Sequence, residues 1–158
     1  MKNFIHIFIL LFTFIGFSQE KYLGDGPYDQ LIIRGVTLIN GDGSPPKGPV
    51  DIVVENNIIV NIKSVGYPGV EIKDSSRPKL KQGGFELDAN GMFLLPGFID
   101  MHGHIGGTGQ GADYDYVFRL WMAHGITTVR EPGGRGVDWA VNLKKLSAEN
   151  KIVAPRIF

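Results

Sequence analysis

The chain of 158 residues contains no cysteine. This absence excludes disulfide bonds, thiolate nucleophiles and zinc–thiolate sites. Any metal ion would have to be held by His, Asp, Glu or lysine-derived groups. For the same reason, cysteine pairing gives no information about the redox compartment in which the protein works.

The chain also has no excess of charge of either sign, because 16 Lys and Arg residues balance 16 Asp and Glu residues. A neutral chain lacks the electrostatic footprint of a protein that binds nucleic acid or an anionic membrane. We therefore expect no nucleic-acid partner. The oligomeric state stays open, and an oligomer is compatible with the sequence.

A long apolar run is missing as well, and the one at the N-terminus is short. Lys2 precedes an apolar stretch from Phe4 to Phe17, and the small residues Gly16 and Ser18 follow at the spacing of a signal-peptidase site. A membrane-spanning helix needs about 20 apolar residues. We predict a signal peptide over residues 1–18 and an exported protein, periplasmic or secreted, without a stable membrane anchor. The alternative is an uncleaved anchor.

Residues 19–95 are predicted to form a β-rich module. The run "QLIIRGVTLIN" reads as two short apolar segments broken at Arg34 and Gly35. Residues 65–84 are polar and rich in Gly and Pro, which is typical of an exposed loop. We expect a small β-sandwich-like module with no chemical role of its own.

Two tight turns are predicted within this module. Asn56 and Asn57 separate two apolar runs, and Asn90 and Gly91 separate the next two. Asn and Gly tolerate the positive φ of a two-residue hairpin turn. Both positions therefore predict a β-hairpin.

After Pro96 the pattern becomes strand, helix, strand, helix, strand, which predicts an α/β fold with parallel βα units. The first helix is expected to start at Asp113, to end before Gly125 and to bury Tyr116, Val117, Leu120 and Ala123. The second is expected to bury Trp139, Leu143 and Leu146, and to stop at Asn150.

A complete (β/α)8 TIM barrel needs about 250 residues. We therefore expect residues 96–158 to be the first two βα units of a truncated barrel, in the N-terminal piece of a longer protein. The alternative is a complete small α+β domain.

The stretch "PGFIDMHGHIGG" holds half of the chain's four histidines. Side chains alternate along a strand, so one face is expected to carry Phe98, Asp100, His102 and His104. The other would carry Ile99, Met101 and Ile105, packed under helices.

Two imidazoles and a carboxylate are costly to turn inward unless a cation compensates them. Spacing of i, i+2 lets both rings reach one divalent ion at the carboxyl end of the strand, where barrels keep their active sites. We therefore predict His102 and His104 as metal ligands. The alternative is a pair of ordinary surface histidines.

At this point "LLPGFIDMHGHI" resembles the first barrel strand of the amidohydrolase superfamily. "HGITTVREPGG" is similar to the second strand, and the preceding segments resemble the urease-like composite β-module of that family. The resemblance implies one or two divalent ions, usually zinc, with His102 and His104 as the first two ligands. It places the other ligands and an aspartate base beyond Phe158, so this piece alone is expected to be inactive.

The resemblance further implies a hydrolase that cleaves carbon–nitrogen bonds of a small molecule with metal-activated hydroxide. Ile105 and Gly106 stand where dihydroorotase-like members tend to have Arg, and Ile99 and Asp100 stand where deaminases usually have Asn-Ala. These departures favour an amide, cyclic amide or dipeptide substrate, as in imidazolonepropionase-like and dipeptidase-like members. The alternatives are a deaminase, a non-catalytic metal- or ligand-binding member, and a purely structural β-module.

Roles for the neighbouring residues stay open. Asp100 could orient a liganding imidazole or make a structural hydrogen bond below the site. Arg130 and Glu131 could line the pocket, although a salt bridge at the rim is favoured. His124 is expected to be structural, and residues 106–111 to form a flexible loop over the metal.

Overall fold

The computed structural model describes residues 25–106, 109, 111–133 and 136–158, so the predicted signal peptide lies outside the described residues. Within these ranges no helix has the length and apolar character needed to cross a bilayer. The fold is α/β, as predicted, with two sheets and two helices. The elements in chain order are β1 (Gln30–Leu38), β2 (Lys47–Glu55), β3 (Ile58–Ser64), a 3-10 turn (Asp74–Ser76), β4 (Phe85–Asp88), β5 (Phe93–Leu94), β6 (Phe98–Asp100), α1 (Tyr114–Ala123), β7 (Ile126–Val129), α2 (Val137–Ala148) and β8 (Arg156–Ile157).

The first sheet has five strands in the order β3-β2-β1-β4, with β5 also paired to β1. The β1–β2 and β2–β3 pairs are antiparallel, whereas β4 and β5 run parallel to β1. Asn56 and Asn57 have φ of 46° and 69° between β2 and β3. The first predicted hairpin is therefore confirmed.

Residues 25–95 make one sheet rather than the two layers expected of a β-sandwich. Its small core contains Val36, Val50, Ile52 and Ala89. All seven residues of β3 are exposed, so no second sheet within the described residues packs on that strand.

The Arg34–Gly35 position is a bulge inside one continuous strand, not a break between two. The pairing of β1 with β2 shifts register between Ile33 and Val36, and Gly35 has φ of 73°. A residue with a side chain is strained at positive φ, whereas glycine is not, because it has no Cβ. The apolar runs on both sides of the bulge therefore belong to β1.

The hairpin predicted at Asn90 and Gly91 is wrong, although a turn is present. β4 and β5 both pair with β1, one before and one after its bulge. The Ala89 N–H donates to Arg34 O (3.0 Å), and the Thr37 N–H donates to Met92 O (2.9 Å). The turn at Asn90 and Gly91 therefore joins two strands that run in the same direction along β1. The sequence pattern did not distinguish this connection from a hairpin, in which the chain reverses direction.

Residues 65–84 are anchored by a buried carboxylate, which the prediction of an exposed loop did not include. Arg77 in this segment donates to both oxygens of Asp51, at 2.9 and 3.0 Å. Arg34 Nη1 donates to the same carboxylate at 2.8 Å and also to Pro78 O at 2.9 Å. The side chain of Asp51 is 0% exposed.

Two opposing effects act on the pKa of Asp51. Burial alone would raise it, but the hydrogen bonds from Arg77, Arg34 and the Gly35 N–H bring the pKa below its usual range. The carboxylate therefore stays charged in the folded chain and holds the segment against the sheet.

The second sheet is parallel, in the order β6-β7-β8. Two βα units, β6-α1 and β7-α2, lead to the third strand, as the alternating pattern predicted. Leu143 is 2% exposed, and Trp139 and Leu146 pack on the same core, so the predicted stripe of α2 is confirmed. The buried members of this core are Ile105, Phe118, Val129, Leu143, Ile152 and Ile157.

The stripe predicted for α1 is wrong. Phe118 is fully buried, with Tyr114 and Trp121 packed beside it, whereas Tyr116 is 62% and Leu120 43% exposed. Tyr114, Phe118 and Trp121 also lie on one helical face, and these aromatic side chains bury more apolar area than the predicted set.

The predicted ends of the helices fit better. Asp113 occupies the N-cap position of α1, but its side chain makes no capping hydrogen bond. Gly125 follows α1 with φ of 80°, and Asn150 follows α2 with φ of 54°. Both helices thus stop at a residue that tolerates positive φ.

Candidate metal centre

The histidine pair lies in the connection after β6 and not on the strand itself. The strand ends at Asp100, and residues 101 and 102 form a turn. Asp100 Oδ1 accepts the backbone N–H of His102 at 2.9 Å. Of the two roles left open for Asp100, the structure shows the structural hydrogen bond, which fixes the turn where the histidines begin.

The backbone between the histidines remains attached to β7. The Arg130 N–H donates to Asp100 O at 2.8 Å, and the Gly103 N–H donates to Arg130 O at 3.1 Å. Gly103 is buried, and a Cβ there would lie 2.5 Å from the Val129 side chain and 3.2 Å from the Trp121 ring. The core side chains packed against this position therefore leave room only for glycine between the two histidines.

The two imidazole rings contact each other edge to face although the strand has ended. Their centroids are 5.2 Å apart and their planes are inclined by 79°. An imidazole bound at about 2.0–2.1 Å through one nitrogen has its centroid about 3 Å from the metal, so two rings on one tetrahedral ion lie about 5 Å apart. The pair fits a shared ion, and the same separation also occurs in unliganded edge-to-face pairs.

The opposite side chains differ from the prediction. Ile99 and Met101 were expected to pack under helices, but they are 63% and 64% exposed. Only Ile105 of that set is in the core, at 3% exposure. Met101 lies in the turn after the strand, where side chains no longer alternate, and Ile99 lies on a strand that neither helix contacts.

Glu131 reaches the histidine pair from the end of β7. Its side chain is 5% exposed, and Oε1 lies 3.3 Å from His104 Nδ1. Oε2 accepts the Ile105 N–H at 2.6 Å, and Oε1 accepts the Gly133 N–H at 3.0 Å. Glu131 does not make the salt bridge at the rim that the sequence favoured, because the Arg130 guanidinium donates instead to Met101 O at 3.4 Å.

A sequence signal for this contact existed. Parallel strands bring their carboxyl ends to one edge of a sheet, and both His104 and Glu131 follow such strands. The register of β6 against β7, with Asp100 opposite Val129, decided which of the two residues after β7 faced His104. That register was not available from the sequence pattern.

The remaining predictions for the site concern His124, the loop at 106–111 and the number of metal ligands. His124 is exposed, and its Nδ1 lies 2.8 Å from Leu120 O at the end of α1, in keeping with a structural role. Much of the predicted loop at 106–111 lies outside the described residues. Among the residues the structure does describe, no group of three or more His, Asp or Glu side chains could hold a metal ion, so a metal site at His102 and His104 would need further ligands.

The chain is similar to known hydrolases. No protein-family model matches it. It is 33% identical over 76 residues to a dihydroorotase of Thermoanaerobacter sp. (strain X514), covering 48% of this chain and 14% of that protein. It is 31% identical over 102 residues to an N-acetylglucosamine-6-phosphate deacetylase of Lysinibacillus sphaericus, covering 64% and 22%.

A solved structure shows the same likeness in three dimensions. An Xaa-Pro dipeptidase with bound methionine in its active site matches with a TM-score of 0.54 and 27% identity, covering 82% of this chain and 32% of that one. The chain thus spans less than a third of the length of each of these proteins. All three are hydrolases that act on C–N bonds, from a superfamily whose members depend on metal ions. These proteins are members of the amidohydrolase superfamily, the family that the sequence resembles.

Proposed function

We propose that the protein containing this chain is a metal-dependent hydrolase of carbon–nitrogen bonds in a small molecule, and that His102 and His104 are its first two metal ligands. The observation that carries the proposal is the contact of the two rings, with centroids 5.2 Å apart, at the carboxyl edge of a parallel sheet in a chain whose relatives belong to this superfamily. The proposed metal is zinc, as one or two ions.

The residues around the pair have defined parts in this proposal. His102 and His104 bind the ion, and Asp100 fixes the turn that presents them. His102 and His104 would hold a divalent ion whose chemistry would be to activate water at neutral pH and to polarise the scissile carbonyl. The remaining ligands and the aspartate that moves the proton lie beyond Phe158 in this proposal, which is why the chain by itself would not turn over substrate.

We also propose that residues 96–158 begin a (β/α)8 barrel and that residues 19–95 form the composite β-module beside it. Parallel sheets are stable when both faces are covered. The two helices pack on β7 and β8 and not on β6, and Phe98, Ile99 and Met101 on and after this edge strand are 59% to 64% exposed. Further barrel units would cover this apolar surface.

The substrate class we propose is an amide, a cyclic amide or a dipeptide. The 27% identity to an Xaa-Pro dipeptidase supports a dipeptide, and the deacetylase relative supports an N-acyl amide. Ile105 and Gly106 after the pair supply no cation for a substrate carboxylate at that position. A deaminase is the alternative.

A substrate panel with the full-length, zinc-loaded protein tests the proposal. The panel contains N-acetyl amino acids, dipeptides including Xaa-Pro, cyclic amides and aminated heterocycles. We expect hydrolysis of one of the first three classes, lost on chelation, restored by zinc and absent from the variant His102→Ala/His104→Ala. The matched control His124→Ala keeps full activity, because His124 lies at the end of α1.

Three outcomes would overturn the proposal. Turnover that survives chelation contradicts metal dependence. Turnover of aminated heterocycles alone indicates a deaminase. Bound metal with no turnover of any class indicates a non-catalytic binding member.

Export is a separate proposal, supported by the pattern of residues 1–18. Mass spectrometry of the protein from periplasmic and culture-supernatant fractions should find a mature N-terminus at Gln19. An intact Met1 in a membrane fraction would instead indicate an uncleaved anchor.

A further inference from the structure

We propose that Glu131 is a positioning residue that fixes the tautomer of His104, so that Nε2 of that ring is the atom left to bind the metal. The inference rests on the proposed function only in taking a metal ion as the ligand of His104. It assigns a role to a residue for which the sequence favoured a salt bridge at the rim.

The contacts of Glu131 join the two loops that form the site. Oε2 accepts the N–H of Ile105, directly after His104, and Oε1 accepts the N–H of Gly133, in the loop after β7. With 5% of its side chain exposed, Glu131 cannot reorient without losing these bonds. The carboxylate is therefore a fixed acceptor beside a half-exposed imidazole.

A fixed acceptor decides where the imidazole proton resides. A neutral imidazole has one N–H and one lone pair, and the other partner of each nitrogen sets which is which. Oε1 is 3.3 Å from Nδ1 of His104, so the N–H is on Nδ1 and donates to Glu131. The lone pair is then on Nε2, as in the carboxylate–histidine–metal arrangement.

The same contacts argue against Glu131 as a third ligand. Both of its oxygens already accept backbone N–H groups, at 2.6 and 3.0 Å. His104, in contrast, has 47% of its side chain exposed. The imidazole of His104, and not Glu131, therefore forms the exposed side of the site. Glu131 affects metal binding only by holding this imidazole.

The variant Glu131→Gln tests this mechanism because it changes one end of the carboxylate into a donor. The amide oxygen should remain on the Ile105 N–H, which makes the shortest bond. The NH2 group should then face His104 Nδ1, and the bond from the Gly133 N–H is lost. Nδ1 would become the acceptor and Nε2 would carry the proton. We expect the zinc affinity of the full-length protein to fall about 10- to 100-fold.

Two measurements besides activity test the role of Glu131, namely the zinc affinity and the tautomer of His104. Competition of the metal-free protein with a chromophoric chelator gives the zinc affinity. Nitrogen-15 NMR of the metal-free protein reports which ring nitrogen of His104 is protonated, and we expect Nδ1–H in the wild type and Nε2–H in Glu131→Gln. Glu131→Asp should recover the Nδ1–H tautomer and part of the affinity, and the control Glu71→Gln, an exposed position, should leave both unchanged.

The outcomes separate this inference from the proposed function. Equal zinc affinity and an unchanged His104 tautomer in Glu131→Gln would overturn the positioning role while the wild type still hydrolysed its substrate. An Nε2–H tautomer in the wild type would also overturn it. A wild type with Nδ1–H and no zinc binding would contradict the proposed function and leave the role of Glu131 on the tautomer supported. If Glu131→Gln does not fold, the wild-type tautomer and the Glu131→Asp affinity decide.

Discussion

Asp51 shows how single residues fix this structure away from the candidate site. It is the second residue of the run "VDIVVE" in β2, and its side chain is fully buried between Arg34 and Arg77. Removing one partner of a buried pair leaves uncompensated charge, which costs more than the pair itself contributes. The carboxylate therefore ties residues 65–84 to β1 and β2.

The acid stability of the protein should depend on Asp51. Its folded pKa is lowered, so its contribution is fully present above the unfolded value of about 3.9 and is lost as the pH falls below it. Urea unfolding from about pH 6 down to about pH 2 should show a fall in the free energy of unfolding. In Asp51→Asn that fall should be smaller, and stability near neutral pH should be lower by about 3–5 kcal/mol.

Glu71→Gln is the matched control, because Glu71 is an exposed acidic residue of the same segment. It should unfold like the wild type at every pH. Parallel pH profiles for the wild type and Asp51→Asn would contradict the account of this cluster.

At this scale the sequence predicted the histidines but not their partner. His102 and His104 are recognisable from residue type and spacing alone, and the structure brings their rings together. Glu131 contacts His104 across two strands, and Arg77 reaches Asp51 across 26 residues. Such contacts depend on strand register and loop path, which a local pattern does not encode.

Among the elements, β1 depends on its bulge. Gly35 has φ of 73°, and a Cβ there would collide with the side chain of Asn90. Gly43 has a similar φ of 84° but no neighbour within 4 Å of such a Cβ. The two glycines thus share the backbone strain that a side chain would meet and differ in the steric contact.

Gly35→Ala should therefore destabilise the protein more than Gly43→Ala. Left-handed backbone costs an L-residue about 1–2 kcal/mol in both variants. The collision with Asn90 should add about 1–3 kcal/mol in Gly35→Ala alone. Urea unfolding of both variants measures the difference, and equal losses would mean that the bulge is not packed against the turn.

Helix α1 offers a test of which face is buried. Phe118→Ala should lower the free energy of unfolding by about 3–5 kcal/mol, because Phe118 is fully buried. Tyr116→Ala, on the face that the sequence pattern had favoured, should cost less than about 1 kcal/mol. The reverse order in chemical denaturation would restore the predicted stripe.

The predicted stripe is buried in one helix and not in the other. In α2 the buried stripe is the one that the sequence predicted, although Val137 and Val141 are also apolar and are 77% and 57% exposed. In α1 the apolar residues occupy two faces, so periodicity alone gives no unique answer. The aromatic set around Phe118 is buried because it fills the space above β7.

For the molecule as a whole, the order of elements was predictable and the surfaces were not. Alternating strands and helices predicted parallel pairing, and β6, β7 and β8 are parallel. The side chains of Ile99 and Met101 were expected to be covered and are exposed. Which part of a sheet is covered depends on every layer packed against it, and the helices here pack on β7 and β8 and not on β6.

Metal content measured on the full-length protein shows whether His102 and His104 hold a metal ion. After dialysis against zinc and removal of free ion, elemental analysis should find one or two bound ions per chain in the wild type and in His124→Ala. The variant His102→Ala/His104→Ala should lose the bound zinc while its circular dichroism matches that of the wild type. Equal zinc content in the wild type and in a folded double variant, or no bound zinc in the wild type, would contradict the claim that the two imidazoles hold a metal ion.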